Sequence, residues 1–490
     1  MNKALRHVSV VGLVMFALLF GSTSYVQFFA AQSLSEHELN NRTIIDELSR
    51  ERGPILVDGT PVAYSVPTDS TYEFQRTYGA DNLPAEQYAG LTGYFSVVSG
   101  ASGLERTENG LLSGSDDALF YDKVRSIFTG EQPMGAAVEL TIDPAAQNAA
   151  WQGLGDQKGA VAAIDPKTGR VLAMVSTPGW DPNALASHDS EQAQSAYSSL
   201  IDDPDNPAYN RAIGGNLYPP GSTFKIITAA AALETGDYTK DSELEGPAEL
   251  DLPETSATIR NSGGGSCGAG DSVTLQQSLV VSCNTSFAQL GMDVGDDALE
   301  EQARKFGFGQ DLSIPLPVTP SSFPGDLNAP QTAQSALGQF EVRATPLQMA
   351  MVSAGVANDG VVMTPQLIDN VRNSRTLDSI SELKPQEFSR AVSSDSAGQL
   401  TDMMVEQVNS GTGQVAQISG AEVGAKTGTA QHAEGAAPHA WFTSFATSDD
   451  DQEVAVAVVV ESGGSAGSEA SGARVAGPIA KQVMEAVING

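Results

Sequence analysis

The tetrad Ser222-Thr223-Phe224-Lys225 places a hydroxyl and an amine three residues apart. On a helix this spacing brings both side chains to one face, where the amine can take the hydroxyl proton and activate a nucleophile. The preceding Tyr218-Pro219-Pro220-Gly221 cannot continue a helix backwards, so Ser222 is predicted at a helix N-terminus, whose free N–H groups favour an oxyanion. The tetrad alone is weak evidence, because a helix cap followed by a solvated lysine has the same pattern.

Two later segments supply groups that such a nucleophile needs. Ser282-Cys283-Asn284 offers a second hydroxyl and an amide, and the apolar residues before it favour a position at a helix end. Lys426-Thr427-Gly428-Thr429 offers a cation and hydroxyls, and its glycine allows another backbone to approach, as when a peptide pairs along a strand edge. An earlier Lys167-Thr168-Gly169 is assigned to a hairpin turn, because it precedes the serine and lacks the following threonine.

Three other kinds of site are excluded because residues that they require are missing or misplaced. Gly463-Gly464-Ser465-Ala466-Gly467 matches a hydrolase nucleophile elbow, but the last histidine, His439, precedes it. The segment from Gly420 to Thr427 resembles a phosphate-binding loop, but Ala425 stands where the second glycine is needed. The five histidines show no metal-ligand spacing. We therefore expect neither a metal nor another cofactor.

The net charge restricts the kinds of binding partner, and the chain length predicts the number of domains. With 26 basic and 60 acidic side chains, the formal net charge of −34 repels phosphate backbones, and no nucleic-acid partner is expected. Hydrophobic residues make up 41% of the chain, which favours a folded protein. A chain of 490 residues exceeds what one hydrophobic core usually serves, so a large domain with a smaller module is predicted.

The N-terminus indicates the compartment. Lys3 and Arg6 precede an uncharged stretch from Val8 to Ser35, which is long enough to cross a bilayer as a helix. The positive-inside rule then predicts a cytoplasmic tail at 1–7, a single transmembrane signal anchor at 8–33, and an extracytoplasmic remainder. A cleaved signal peptide is the alternative, although the bulky residues before Ala30 fit a cleavage site poorly.

The chain has two cysteines, Cys267 and Cys283, which by this topology lie in a non-reducing space. A disulfide between them would close a short loop. Two separate thiols remain the alternative, because sequence does not show whether the two Cα atoms approach closely enough.

The pattern of predicted strands at both ends of a mostly helical segment indicates an α+β fold with an antiparallel sheet packed between helices. Residues 34–140 alternate short apolar runs with turn residues and form a β-rich N-terminal pedestal module, followed by the main domain at 141–490. Asp143 and Pro144 suit the first positions of a helix. A hairpin follows, from Gly159 to Val175, and Glu453 to Val460 reads as a core strand ahead of a closing helix.

The order of serine-lysine, serine-x-asparagine and lysine-threonine-glycine resembles that of the penicillin-binding proteins and serine β-lactamases. Similarity to the class B penicillin-binding proteins, the monofunctional transpeptidases, extends from about residue 52 to 445. Its further landmarks are Arg52-Gly53-Pro54-Ile55, Gly103-Leu104-Glu105, Asn109, Leu112-Ser113-Gly114, Leu140-Thr141-Ile142-Asp143, Asn210-Arg211-Ala212, Thr345-Pro346-Leu347-Gln348, Gly411-Thr412-Gly413 and Trp441-Phe442.

The resemblance implies a peptidoglycan D,D-transpeptidase with a penicillin-binding fold. Ser222 would attack the bond between the terminal D-alanines of a stem peptide, with Lys225 as general base and Ser282 as proton relay. Asn284 would hold the amide of the donor peptide, and the catalytic Lys426 with Thr427 would position its terminal carboxylate. Gly428 and Thr429 would also belong to the substrate-binding residues. The oxyanion hole would consist of the backbone N–H groups of Ser222 and Thr429.

Three alternatives share the motifs: a serine β-lactamase, a D,D-carboxypeptidase and a non-catalytic β-lactam-binding scaffold. A class A β-lactamase needs a glutamate in E-x-x-L-N, and the nearest match, Pro324-Gly325-Asp326-Leu327-Asn328, has proline there. The expected partners are peptidoglycan stem peptides as donor and amine acceptor, β-lactams, the membrane and a membrane-embedded glycan polymerase.

Overall fold

The computed structural model describes residues 3–31, 34, 48–69, 72–119, 134–215, 217–376, 378–433 and 435–490. Parts of the predicted tail 1–7, anchor 8–33 and pedestal 34–140 lie outside these residues.

The helices and strands are numbered here in chain order. The α-helices are α1 (Lys3–Ser24), α2 (Ala85–Thr92), α3 (Gly103–Thr107), α4 (Asn109–Ser113), α5 (Pro144–Leu154), α6 (Ser190–Asp202), α7 (Lys225–Thr235), α8 (Leu275–Val280), α9 (Asn284–Val294), α10 (Asp296–Lys305), α11 (Ala329–Ser335), α12 (Pro346–Ala357), α13 (Ser394–Ser410) and α14 (Gly477–Ile488). The strands are β1 (Ile55–Val57), β2 (Thr60–Pro67), β3 (Phe74–Tyr78), β4 (Phe95–Ser96), β5 (Gly100–Ala101), β6 (Ala137–Leu140), β7 (Gly159–Ile164), β8 (Val171–Thr177), β9 (Glu243–Glu245), β10 (Glu249–Asp251), β11 (Thr258–Arg260), β12 (Ser272–Thr274), β13 (Ser313–Ile314), β14 (Leu316–Pro317), β15 (Val361–Met363), β16 (Ile368–Arg372), β17 (Ser379–Glu382), β18 (Glu387–Arg390), β19 (Ala421–Ala430), β20 (His439–Ser448) and β21 (Glu453–Val460).

A five-stranded antiparallel sheet forms the centre of the main domain, in the order β19-β20-β21-β7-β8. Its central strand β21 is buried on both faces, because its residues alternate between two helical layers. Val454, Val456 and Val458 pack with α5 and α14, whereas the intervening residues pack with α12 on the other face. The predicted antiparallel sheet between helices is confirmed.

Local turn chemistry accounts for how this sheet begins. Asp143 caps α5 by accepting from Ala146 N at 2.7 Å, and Pro144 occupies the first turn. The β7–β8 hairpin turns at Asp165, whose Oδ1 accepts from the backbone N–H groups of Lys167 and Thr168. Both predictions are confirmed, and the first Lys-Thr-Gly therefore lies in a hairpin turn.

The N-terminal module contains a six-stranded sheet in the order β17-β16-β6-β1-β2-β3. Two of its strands, β16 and β17, come from the segment after residue 360, where β16 pairs with β6. The sheet thus crosses the boundary predicted at residue 140. Helix α1 continues into a π-helical turn, and Arg6–Phe29 is long and apolar enough to cross a membrane, with its side chains exposed.

A buried ion triad, defined as Glu105 with Arg52 and Arg76, joins α3 to β3 of this sheet. The Arg52 Nε–Glu105 Oε2 distance is 2.5 Å and the Arg76 Nε–Glu105 Oε1 distance is 2.6 Å. Glu105 has no exposed side-chain surface. Burial raises the pKa of Glu105, but the charges of Arg76 and Arg52 outweigh it and lower the pKa overall.

Candidate active site

Ser222 lies in a 3₁₀ turn, Gly221–Phe224, and the α-helix α7 begins only at Lys225. The predicted position of Ser222 at the N-terminus of a helical segment is confirmed, with the difference that the first turn is 3₁₀ and follows Gly221 at φ +56°. A 3₁₀ turn has three residues per turn, which places positions i and i+3 directly above one another. Ser222 is half-buried, and its hydroxyl has no hydrogen bond to any of the described residues.

Ser282 lies in the turn between α8 and α9, and Asn284 is the first residue of α9. Ser282 adopts φ +59°, a strained conformation for a residue with a side chain. Lys225 Nζ donates to Ser282 O at 2.8 Å and to Asn284 Oδ1 at 2.8 Å, and its distance to Ser282 Oγ is 3.4 Å. Hydrogen bonds therefore join this turn directly to Lys225 of the tetrad.

Lys426, Thr427, Gly428 and Thr429 lie on β19, an edge strand of the central sheet. Lys426 Nζ donates to Ser282 Oγ at 2.9 Å and to Thr427 O at 3.0 Å. A Cβ on Gly428 would lie 3.0 Å from Pro220 O, so only glycine lets the strand approach the nucleophile turn this closely. All three sequence motifs therefore meet, with Ser282 Oγ between the two lysine amines.

The two lysines are fully buried without a compensating negative charge. Both have 0% exposed surface, and no carboxylate pairs with either in the described part of the chain. Burial lowers the pKa of Lys426 to about 7. The pKa of Lys225 is lowered well below its usual value by burial, and then by repulsion from Lys426.

Cys267 and Cys283 form a disulfide, with their Cα atoms 5.9 Å apart. Since Cys283 stands between Ser282 and Asn284, the bridge joins this turn to the loop that precedes β12.

Sequence reasoning missed several residues that hold the site together. Asn261 Oδ1 accepts from Asn284 N at 2.9 Å and from Thr285 N at 3.1 Å, which fixes the start of α9. The hydroxyls of Thr412 and Thr427 lie 2.8 Å apart. No motif marks Asn261, whereas Thr412 stands in a landmark of the resemblance but was given no role. Ser465, the decoy nucleophile, contacts Gln157 in an exposed loop.

The family comparisons agree with this geometry. The family model described as the penicillin binding protein transpeptidase domain matches residues 159–485. That match spans more than half of the chain. The chain belongs to the penicillin-binding protein transpeptidase family. A second family model, the penicillin binding protein A dimerisation domain, matches residues 52–138 of this penicillin-binding protein.

Relatives of this penicillin-binding protein match over its whole length. It is 42% identical over 500 residues to the peptidoglycan D,D-transpeptidase PbpA of Mycolicibacterium smegmatis, covering 100% of this chain and 99% of that relative. It is 40% identical over 503 residues to PbpA of Mycobacterium tuberculosis, covering 100% of both. The structure of penicillin-binding protein A from M. tuberculosis as a ceftriaxone acyl-enzyme complex is similar, with a TM-score of 0.86, 40% identity, and coverage of 91% of this chain and 100% of that one. The predicted membership of the class B penicillin-binding proteins is confirmed.

Proposed function

We propose that this penicillin-binding protein is a peptidoglycan D,D-transpeptidase, which cross-links stem peptides through an acyl-enzyme on Ser222. The observation that carries the proposal is the hydrogen-bonded group formed by Lys225, Ser282 and Lys426, beside the turn that presents Ser222. The full-length similarity to proteins named peptidoglycan D,D-transpeptidase supports the substrate class.

Lys225 is the general base for the attack of Ser222. A neutral amine has two N–H donors and one lone pair. The two short hydrogen bonds to Ser282 O and Asn284 Oδ1 use both donors, so the lone pair remains to accept the Ser222 proton. The lowered pKa of Lys225, caused by burial and by Lys426, favours the neutral amine that this role requires.

Ser222 Oγ attacks the carbonyl carbon between the two terminal D-alanines as Lys225 takes the Ser222 proton. The C–N bond then breaks while Ser282 donates its proton to the leaving amine and regains one from Lys225, whose Nζ lies 3.4 Å from Ser282 Oγ. The released D-Ala carries that proton, and the stem peptide stays bound as an ester on Ser222. An amine of a neighbouring stem peptide then attacks the ester and gives up a proton through the same groups, which restores the Ser222 hydroxyl.

The donor peptide lies along the edge of β19, where Thr427 and Thr429 present hydroxyls and Gly428 leaves space for a backbone. Asn284 holds the donor amide, and Lys426 with Thr427 binds the terminal carboxylate. The backbone N–H of Ser222 lies at the start of its turn, where a helical segment provides no acceptor of its own. Together with Thr429 N, it stabilises the oxyanion.

β-Lactams acylate Ser222 as analogues of the D-Ala-D-Ala end, as the acyl-enzyme structures of the M. tuberculosis relative suggest. Helix α1 anchors the protein by one span, and the remainder faces the extracytoplasmic space where the substrate lies. The N-terminal module raises the catalytic domain from the membrane and offers a surface to a membrane-embedded glycan polymerase.

The test is the intact mass of the full-length protein in detergent after incubation with a labelled penicillin. A stable adduct is expected on the wild type and on the matched Ser465→Ala control, but not on Ser222→Ala. Rapid turnover of the drug would indicate a β-lactamase, and the absence of an adduct a scaffold. Stem peptides supplied as donor and acceptor distinguish a transpeptidase from a D,D-carboxypeptidase. A cross-linked product indicates a transpeptidase, whereas a hydrolysed donor without cross-linked product indicates a carboxypeptidase.

A further inference from the structure

Tyr218 lies four residues before Ser222, and its hydroxyl is hydrogen-bonded to a residue that is distant in the sequence. It donates to Glu461 Oε1 at 2.6 Å, and Arg211 Nε donates to the same oxygen at 2.8 Å. Glu461 directly follows β21, so this hydrogen bond joins the nucleophile segment to the end of the central strand. None of these three residues belongs to the sequence motifs that carry the chemistry.

The ring of Tyr218 also contacts the neighbouring strand β20. Its centroid lies 5.3 Å from that of His439 and 6.1 Å from that of Trp441, edge to face in both cases. A Cβ on Gly428 would lie 2.9 Å from Trp441 Cβ, so Trp441 in turn contacts β19 at the glycine of the third motif. Tyr218 thus packs on β20, the strand paired with the proposed substrate edge β19.

The chain between Tyr218 and Ser222 is short and stiff. Pro219 and Pro220 have φ angles fixed by their rings, and Gly221 N donates to Gly338 O at 2.9 Å. The backbone of Tyr218 exchanges both hydrogen bonds with Ala344, at 3.2 and 2.8 Å. Because few torsions are free between them, the position of Tyr218 determines the position of Ser222.

We propose that Glu461, acting through the hydroxyl of Tyr218, is a positioning residue that holds Ser222 at the correct distance from a substrate bound along β19. The inference rests on the proposed acylation of Ser222. Removing the hydrogen bond allows the nucleophile turn to shift against β20 while the substrate edge stays in place. Such a shift slows bond formation more than it weakens binding, because reaction rate depends steeply on the placement of the reacting atoms.

The charge state of Glu461 is consistent with this role. Burial raises its pKa, but hydrogen bonds from Tyr218 and Arg211 outweigh burial and lower the pKa, so that the carboxylate stays ionised. Lys158 Nζ lies 3.9 Å from its second oxygen. Arg211 also donates to Asn206 O at 3.2 Å and to Asp205 O, so a neutral residue at position 461 leaves the guanidinium with partners.

The test separates binding from acylation with a chromogenic β-lactam and the full-length protein in detergent. Tyr218→Phe keeps the ring and removes only the hydroxyl. We expect the limiting acylation rate to fall about tenfold while the dissociation constant of the initial complex changes less than about twofold. Tyr209→Phe makes the same chemical change at an exposed position and should leave both constants unchanged. An unchanged rate in Tyr218→Phe, a loss confined to binding, or an equal loss in Tyr209→Phe overturns the inference.

Glu461 variants show whether Tyr218 acts through this carboxylate. Glu461→Gln keeps an oxygen that can accept from Tyr218 and should retain the acylation rate within about threefold, whereas Glu461→Ala should lose as much as Tyr218→Phe. Combining Glu461→Ala with Tyr218→Phe should then cause no further loss, and additive losses contradict the inference. If the wild type forms no adduct on Ser222, the proposed function itself fails. If the wild type reacts and Tyr218→Phe reacts equally fast, only the positioning role fails.

Discussion

In the N-terminal module Glu105 lies fully buried between two arginines, whereas in the active site Lys225 and Lys426 lie equally buried without a carboxylate among the described residues. The two regions therefore treat buried charge in opposite ways. The triad matches each charge with an opposite one and holds its carboxylate ionised. Burial lowers the pKa of both lysines, and repulsion from Lys426 lowers that of Lys225 further, so both amines tend to lose a proton.

The difference shows how one chain separates structural from chemical use of charge. A paired buried charge is expensive to break but does not react, since its proton affinity is fixed by its partners. A buried amine without a counter-charge destabilises its surroundings but becomes a base near neutral pH. Substitutions in the two regions should therefore affect different observables.

The largest expected effect is on catalysis in the lysine pair. Lys225→Met should lower the acylation rate of Ser222 by about 10³-fold, because general-base catalysis is worth roughly 10²–10⁴-fold. Its free energy of unfolding should fall by no more than about 1 kcal/mol, since the loss of two hydrogen bonds is offset by the removal of a buried amine that has no counter-charge. Labelled-penicillin kinetics and urea denaturation of the full-length protein measure the two. Near-normal acylation in the folded variant would exclude Lys225 as the base.

In the triad the effect should fall on stability instead. Glu105→Gln leaves two buried guanidinium groups facing a neutral amide, and breaking a buried ion pair costs roughly 3–5 kcal/mol. Urea denaturation should show this loss, while the folded variant acylates at the wild-type rate. The matched control is Glu301→Gln, which breaks an exposed pair with Arg304 and should cost less than about 1 kcal/mol. A comparable loss in both variants contradicts the contrast.

The pH dependence of stability should separate the two regions. The folded protein binds fewer protons than the unfolded chain between the lowered pKa of Lys426, about 7 because of burial, and the ordinary lysine value. Stability should therefore rise with pH across this window, by up to about 1.4 kcal/mol per pH unit relative to Lys426→Met. The lowered pKa of Glu105 acts only in acid, where its stabilisation is lost as the pH falls below the ordinary glutamate range. Denaturation at pH 7, 8 and 9 tests the first window, and equal slopes in wild type and Lys426→Met would refute it.

The smallest effect is expected at the first Lys-Thr-Gly, Lys167-Thr168-Gly169, in the β7–β8 hairpin turn. Lys167 is more than half exposed and pairs with Glu453 at 2.6 Å, so Lys167→Met should change stability by less than about 1 kcal/mol and leave acylation unchanged. Comparison of Lys167→Met with Lys225→Met tests whether a lysine must be buried to act as the base. A fall in acylation at Lys167→Met would show that the first Lys-Thr-Gly takes part in the chemistry.

Local patterns predicted much of the central sheet. The β7–β8 hairpin and the cap at Asp143 depend on neighbouring residues, and the apolar run of β21 indicates a core strand by itself. The convergence of the three motifs was inferred from their order and from resemblance, because spacing does not show which distant segments meet. The left-handed conformation of Ser282 had no local signal.

Features formed by distant segments escaped prediction. Glu461 lies 243 residues from Tyr218 and 250 from Arg211, and a glutamate at the end of a strand is unremarkable in sequence. The joining of β16 to the N-terminal sheet depends equally on contacts over a long separation, which periodicity within a segment does not encode.

The pairing of β6 with β16 has a consequence for how the polypeptide matures. Thr141 hydrogen-bonds to Leu367, 226 residues later, so the N-terminal sheet stays incomplete until most of the chain has been synthesised. Strands β1, β2, β3 and β6 can pair with one another early, but the second edge of β6 stays open until β16 has been synthesised. A recombinant fragment cut at residue 140 would leave β16 with an open edge, which is a site for aggregation. A soluble form for expression should accordingly begin before β1 and keep the whole of the sheet through β17.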